Sequence, residues 1–252
     1  IARQGKSTAT TKTTSTTTTT AIPSEPSPTM PRKELSLTTV LICGGLLVTL
    51  SMGIRHGFGL FNLPITQAHG WSRETFAFAL ALQNLMWGVA QPFAGALADK
   101  FGSVRVMLVG VALYVAGLVV MALASSGTAF ASGAGIMIGI AQAGTTYSVV
   151  YGVIGRVASP EKRVWAMGIA AAAGSFGQFL MIPVEQGLIS AIGWQNALFV
   201  LAVMACMMLP LAIASTYAGV WLALAIAFST VIRSPATSLV LAPIISSLGF
   251  VH

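Results

Sequence analysis

The sequence predicts an all-α integral membrane protein with six transmembrane helices, on the basis of its composition and of six long apolar segments. Of its 252 residues, 55% are hydrophobic and only 8% are charged, whereas roughly 25% of the residues in a soluble domain are charged. Each of the six segments reaches the length of about 20 residues that a helix needs to cross a bilayer. These properties argue against a water-soluble fold.

The six apolar segments are joined by short connections, so consecutive helices must run antiparallel. They cover residues 38–63, 75–97, 104–125, 129–155, 164–188 and 194–215. If the amino terminus is cytoplasmic, that side holds ten Lys and Arg residues and the outer connections hold only Arg73. This bias predicts a cytoplasmic amino terminus, because basic residues in short loops stay inside. The ten residues are Arg3, Lys6, Lys12, Arg32, Lys33, Lys100, Arg105, Arg156, Lys162 and Arg163.

Three regions of the chain differ in composition. Residues 1–35 are rich in Thr and Pro, and they cannot bury enough apolar surface to offset the entropy of ordering, so we expect disorder. Because the chain opens with Ile1 and Met30 precedes a plausible start, our hypothesis is that residues 1–29 are upstream sequence or an appended tail. Residues 36–215 hold the six predicted spans, and residues 216–252 form a further apolar tail.

A short motif lies between the second and third predicted spans. Residues 95–105 read Gly-Ala-Leu-Ala-Asp-Lys-Phe-Gly-Ser-Val-Arg. This stretch resembles the G-x-L-A-D-R-x-G-R-R/K signature of the major facilitator superfamily, in the cytoplasmic loop where that signature is expected. The sequence departs from the signature at Lys100, where Arg is commoner, and at Ser103, where a basic residue is frequent.

Further stretches resemble one branch of that superfamily, the bacterial carriers grouped with oxalate/formate antiporters and monocarboxylate porters. They are residues 53–61, 70–73, 162–163, 166–168 and 175–177. The resemblance covers residues 36–215 and implies one six-helix half of a fold that is normally built from two halves around a midplane site. After residue 215 we expect it to end, through a premature stop or a frame change, or because the protein is naturally of half length.

The resemblance implies a gating role for the motif. In the family the aspartate that corresponds to Asp99 latches the two halves in one conformation. Within this half the candidate cations for Asp99 are Lys100, Arg105 and Arg156, and Gly95 and Gly102 are expected to allow a tight loop. The alternative is that Asp99 is a solvated loop charge.

Arg55 is the clearest candidate for binding a substrate. It falls in the outer half of the first predicted span, and an ionisable residue inside a span usually faces a cavity or a partner. Its planar fork could bind a carboxylate through two hydrogen bonds, and the alternative is that it extends toward the outer headgroups. Other polar residues could line a cavity with it or could form hydrogen bonds between helices. These candidates are Gln83, Gln142, Tyr147 and Gln178, and Glu185 is expected to be hydrated near the outer mouth.

Gly135 and Gly139 have the Gly-x-x-x-Gly spacing of close helix contacts. Small residues let helix backbones approach each other in a membrane. Tight packing within one bundle is the preferred interpretation, and a dimer interface is the alternative.

The leading functional hypothesis is a secondary active transporter of small organic anions such as monocarboxylates, working by alternating access as a multi-pass protein of the cell membrane. A coupled proton or an exchanged anion would accompany the substrate. One alternative is a major facilitator carrier of another solute. The other is a transport-incompetent half-length fragment or an interaction subunit, since a second half or a second copy would be needed as a partner.

Several classes of function are disfavoured by the sequence. No span carries a Ser/His, paired-Asp or His-Glu-x-x-His arrangement, so we expect no enzymatic activity, metal or cofactor. The net charge of +7 does not indicate a nucleic-acid partner, because the basic residues lie at the ends of apolar segments and form no patch with aromatics. We expect the transmembrane helices to be surrounded by the lipid bilayer.

Overall fold

The computed structural model describes residues 36–215, and every regular element in that range is helical. The expectations for residues 1–35 and 216–252 concern parts of the chain outside this range. The elements are α1 (Leu37–His56), α2 (Phe58–His69), α3 (Arg73–Phe101), α4 (Ser103–Leu123), α5 (Gly127–Phe130), a π-helical segment (Ala131–Met137), α6 (Ile138–Thr145), α7 (Tyr147–Val157), α8 (Pro160–Cys206) and α9 (Met208–Ala214).

Four helical runs in the described range are long and apolar enough to cross a bilayer. They cover residues 37–69, 103–123, 127–157 and 160–214. Helix α3 has 29 residues but is not among them, because its middle carries three amide side chains, Gln83, Asn84 and Gln91, that lower its hydropathy. The protein is therefore a multi-pass membrane protein, and its described part contains only helices.

The longest run contains a break that the sequence places between two spans. An unbroken helix of 47 residues would extend roughly 70 Å, far beyond the roughly 30 Å hydrocarbon core of a bilayer. Gly193 inside α8 has φ 78° and ψ 162°, a non-helical conformation at a kink. The kink falls between residues 188 and 194, where the fifth predicted span ends and the sixth begins.

The connection between α3 and α4 is a single residue. Gly102 has φ 91° and ψ 141°, a conformation that residues with a Cβ rarely adopt. The turn that Gly102 forms brings the end of α3 directly against the start of α4. Gly95 does not contribute to this turn, because it lies inside α3 with open space where its Cβ would be. The expectation that Gly95 allows a tight loop is wrong.

Helices α1 and α8 approach each other closely through small residues. Gly45 lies against Ala173, Thr49 against Gly177, and Gly53 against Gly177 and Met181. Residue numbers rise together along both helices, so the two run parallel. The Thr49 hydroxyl also donates to the Ala173 carbonyl at 2.8 Å. Small residues every fourth position allow this approach, since membrane helices associate through packing and hydrogen bonds.

Gly135 and Gly139 pack against α3 within the bundle. A Cβ on Gly139 would lie 2.6 Å from the Gln83 carbonyl oxygen, and one on Gly135 would lie 3.0 Å from the Ala79 carbonyl oxygen. Both glycines are needed for the contact between α3 and the helical run 131–145. This packing supports the interpretation that the Gly-x-x-x-Gly pair serves tight packing within one bundle. Both glycines are covered by α3 and are therefore not available to a dimer interface.

Candidate functional site

Arg55 lies near the end of α1, and its side chain reaches α3. Its Nε donates to Gln83 Oε1 at 3.3 Å, and its Nη2 donates to Asn84 Oδ1. The guanidinium carbon also lies 4.8 Å from the centroid of the Trp87 ring, within the range of a cation–π interaction. Arg55 is thus held by three side chains of one helix and does not extend along α1 toward headgroups.

The two amides that hold Arg55 are themselves oriented by backbone carbonyls. Gln83 is buried and donates from Nε2 to the Ala134 carbonyl at 2.7 Å. Asn84 donates from Nδ2 to the Leu80 carbonyl at 2.8 Å. Because each amide nitrogen is engaged in this way, each amide oxygen faces the guanidinium. The position of Arg55 is therefore fixed by a second set of hydrogen bonds.

Trp87 connects this site to α6 and α7. Its Nε1 donates to Thr146 Oγ1 at 3.3 Å, and the Thr146 hydroxyl donates to the Gln142 carbonyl at 2.6 Å. Thr146 lies between α6 and α7, where the backbone leaves helical geometry with φ −114° and ψ −155°. A hydroxyl that caps the freed carbonyl of Gln142 makes this interruption tolerable inside a membrane.

No acidic side chain among residues 36–215 forms an ion pair with Arg55. Among residues 36–215, the one carboxylate within ion-pairing distance of a cation is Asp99, and its partner is Arg156. Arg55 is half-buried and Asn84 is exposed, so the guanidinium reaches an open face of the bundle. Its bonds to the two amides leave other N–H groups free. The site can therefore accept an anion through charge-assisted hydrogen bonds.

The other predicted site residues make contacts of their own. Tyr147 lies with its hydroxyl against Gly174 of α8, and Gln178 donates from Nε2 to the sulfur of Met52 at 3.8 Å. Gln142 is fully buried beside the Tyr114 hydroxyl, and neither of its amide atoms has a full hydrogen bond within the described range. The structure joins Arg55, Gln83 and the Gln142 backbone in one network. Tyr147 and Gln178 make no hydrogen bond to Arg55 among the residues described.

One residue of this network, Trp87, is missing from the predicted site. The signal for Trp87 is its spacing, since residues 83, 84 and 87 lie on one face of a helix. The face of an indole can bind a cation from a neighbouring helix. The expectation that Glu185 is hydrated near the outer mouth is wrong, because its side chain is fully buried.

A second cluster forms at the opposite end of α3. Asp99 Oδ1 lies 3.5 Å from Arg156 Nη1, and Arg156 also donates from Nη2 to the Ser103 hydroxyl. These residues come from the ends of α3 and α7 and from the start of α4. Of the three candidate cations, Arg156 is therefore the one that pairs with Asp99. Lys100 lies over the Phe101 ring, and Arg105 is exposed.

The ion pair is largely exposed, which limits its contribution to stability. The Arg156 side chain is 51% exposed and that of Asp99 is 80% exposed. Exposed pairs of this kind contribute about 0–1 kcal/mol. The cluster joins three helix ends at one face of the bundle, so its geometry suits a contact that forms and breaks better than one that holds the fold together.

Comparison with known proteins identifies the family. A family model described as the Major Facilitator Superfamily matches residues 41–251. The chain belongs to the major facilitator superfamily. The resemblance inferred from residues 95–105 is thereby confirmed, and membership of a family of transporters supports the expectation that the chain is not an enzyme. The match to the major facilitator superfamily continues beyond residue 215, where we expect the resemblance to end, and the hypotheses for residues 216–252 stay predictions.

Two monocarboxylate transporters are similar to this major facilitator chain. Mouse monocarboxylate transporter 11 is 30% identical over 152 residues, which are 60% of this chain and 34% of that protein. Human monocarboxylate transporter 11 is 29% identical over 152 residues, 60% of this chain and 32% of that protein. The matched region thus spans about a third of the length of these relatives.

Proposed function

We propose that this chain is part of a secondary active transporter that moves small organic anions, such as monocarboxylates, by alternating access. The observation that carries the proposal is Arg55, a cation inside the bundle that is oriented by α3 and lacks an acidic partner among the described residues. An unpaired charge in a span is costly, and a residue that carries one is therefore a candidate for a functional role. The similarity to proteins named monocarboxylate transporters supports the same substrate class.

The proposed substrate is recognised through its carboxylate. The free N–H groups of Arg55 would donate to the two carboxylate oxygens, an arrangement that lysine cannot reproduce. Trp87 lies under the guanidinium and would limit its movement. The remaining part of the binding site would come from a second half or a second copy across the exposed face that carries Asn84. A coupled proton or an exchanged anion would complete the cycle.

The proposed topology has six spans with a cytoplasmic amino terminus, in the cell membrane. In this arrangement α3 is a span despite its amides, since Gln83 turns inward and is buried. The run 160–214 contributes two spans that meet at Gly193, where the helix is broken. The Asp99, Arg156 and Ser103 cluster would then lie on the cytoplasmic side, as the excess of Lys and Arg at that end favours.

Anion binding can be measured through the fluorescence of Trp87. The full chain in lipid nanodiscs should show saturable quenching by monocarboxylates, because the indole lies 4.8 Å from the proposed anion ligand. The Trp87→Phe variant should lack this component, which separates Trp87 from the other four of the five tryptophans. Arg55→Gln should bind roughly 10-fold more weakly or worse, and Arg73→Gln, an exposed residue at the start of α3, should bind like the parent chain. Equal affinities in both Arg variants would reject Arg55 as the anion ligand.

We also propose that Asp99 and Arg156 form a gating contact. Asp99→Ala is expected to slow uptake severalfold while the affinity measured at Trp87 stays unchanged, because the cluster lies at the other end of α3. Stability should change by no more than about 1 kcal/mol. Lys100→Ala, which removes a neighbouring charge outside the cluster, is the matched control. Unchanged turnover in Asp99→Ala would show that Asp99 is only a solvated charge.

A further inference from the structure

Glu185 carries a carboxyl group that is buried inside the described bundle. It has no solvent-exposed surface, and neither Oε1 nor Oε2 has a hydrogen-bond partner among the described residues. A buried carboxylate in this situation is very unfavourable, and such groups take up a proton instead. The arrangement therefore fits a neutral, protonated carboxyl group in this conformation.

Glu185 lies at the contact between α8 and the end of α1. Glu185 continues the row of every fourth residue on α8 that begins with Ala173 and runs through Gly177 and Met181. Its carboxyl group fills the space beside Gly57, where a Cβ would lie 2.8 Å from Oε1 and closer still to Oε2. Glycine at position 57 is thus required for the carboxyl to occupy this place.

Gly57 is also the point at which α1 ends and α2 begins. The carboxyl of Glu185 therefore lies against an interruption in regular α-helical hydrogen bonding, where the Gly57 N–H reaches the Gly53 carbonyl only at 3.4 Å and the Leu60 N–H bonds the Gly57 carbonyl at 2.9 Å. Arg55, the proposed anion ligand, precedes Gly57 by two residues. A movement at this interruption would act on both groups together.

No cation faces Glu185 within the part of the chain that the structure describes. Tyr114 of α4 lies within electrostatic range of Glu185 and donates its hydroxyl proton to the Ser51 carbonyl at 2.9 Å. The guanidinium of Arg55 is engaged by Gln83 and Asn84. The other ionisable side chains on helices that pack against α8 are Cys43 and His56 on α1, His69 on α2, Arg105 on α4, and Tyr147, Tyr151 and Arg156 on α7.

We propose that Glu185 carries the proton that is coupled to anion transport, an inference that rests on the proposed function. In the packed state the carboxyl holds the proton beside Gly57. When α8 separates from α1 and water enters, the O–H bond breaks, the proton passes to water, and the electron pair stays on the carboxylate. Reprotonation from the opposite side restores the packed state. One anion at Arg55 and one proton at Glu185 then cross together without net charge.

The protonated state can be observed directly by infrared spectroscopy of the full chain in lipid nanodiscs at neutral pH. We expect a carbonyl stretching band of a protonated carboxyl group that shifts to lower frequency in D₂O. The band should be absent from Glu185→Gln and present in Glu74→Gln, which removes an exposed carboxyl of α3. Gly57→Ala should shift or remove the band by displacing the carboxyl. A parent protein without the band overturns the proposal.

The transport role is tested by proteoliposome uptake of labelled monocarboxylates under an inward proton gradient. Glu185→Gln should lose about tenfold or more of the gradient-driven uptake and retain anion exchange and Trp87 quenching. If the band is present but the gradient dependence of Glu185→Gln equals that of the parent, Glu185 is a structural acid and the proposal is overturned. If the proposed function itself is wrong, the result is different: the parent chain binds no anion although the infrared band is present. That outcome also overturns the transport role of Glu185.

Discussion

Replacement of Arg55 by Gln is expected to lower the uptake of labelled monocarboxylates into proteoliposomes by roughly 10- to 100-fold. A hydrogen bond to a charged group contributes about 1.5–3 kcal/mol, and each 1.4 kcal/mol or so corresponds to tenfold in affinity. Glutamine keeps a polar side chain beside Gln83 and Asn84 but removes the positive charge and the bidentate fork. Since no acidic side chain neutralises Arg55 within the described range, the substituted protein should not be left with an unpaired carboxylate, and its fold should persist.

Two further variants separate charge from position. Arg73→Gln removes the same charge from an exposed position at the start of α3, so its uptake should match that of the parent chain. Arg55→Lys keeps the charge but loses the planar fork, and its uptake should lie between those of the parent chain and Arg55→Gln. A panel of monocarboxylates and dicarboxylates would show which anions depend on Arg55. Equal uptake by the Arg55→Gln and Arg73→Gln variants would favour a carrier of another solute, and no uptake by any of them would favour a transport-incompetent chain.

The fold could be predicted from the sequence because a span leaves a strong signal along the chain. Apolar length located the helical runs, although the first run ends at residue 69 and not at the predicted residue 63, and the fifth and sixth predicted spans fall in one run, 160–214. The exception is the region around residues 189–193, where a connection was expected and helix continues apart from Gly193. A single glycine suffices there because a positive φ redirects the chain without a loop.

The candidate site was only partly predictable, since depth along a helix can be read from the sequence and rotation about the helix axis is much harder to read. Arg55 and Gln83 were both placed inside spans, but their mutual contact depends on which faces of α1 and α3 meet. Glu185 shows the difference most clearly. Its position toward one end of a span suggested hydration, yet the four-residue spacing from Gly177 and Met181 turns it toward α1. Trp87 was missed for the same reason, because its role depends on a cation from another helix.

Replacement of Gly177, at the contact between α1 and α8, by Ala is expected to lower the free energy of unfolding by about 1–3 kcal/mol. This is the usual cost of overpacking. The new methyl carbon would lie 2.7 Å from Thr49 Cα and 2.8 Å from the Thr49 carbonyl carbon. These are backbone atoms that cannot rotate away, so the helices must separate. The hydrogen bond from Thr49 to the Ala173 carbonyl at 2.8 Å should weaken at the same time.

Gly168→Ala is the matched control, because it introduces the same methyl group in the same helix where nothing lies within 4 Å of it. Alanine has a higher helix propensity than glycine by up to about 1 kcal/mol, so this variant should be as stable as the parent chain or slightly more stable. Thermal denaturation followed by circular dichroism in detergent would give both values. A Gly177→Ala protein as stable as the Gly168→Ala protein would show that α1 and α8 can separate without cost. A loss of stability confined to Gly177→Ala would instead show that the contact between α8 and α1, the helix that carries Arg55 and ends at Gly57, stabilises the bundle.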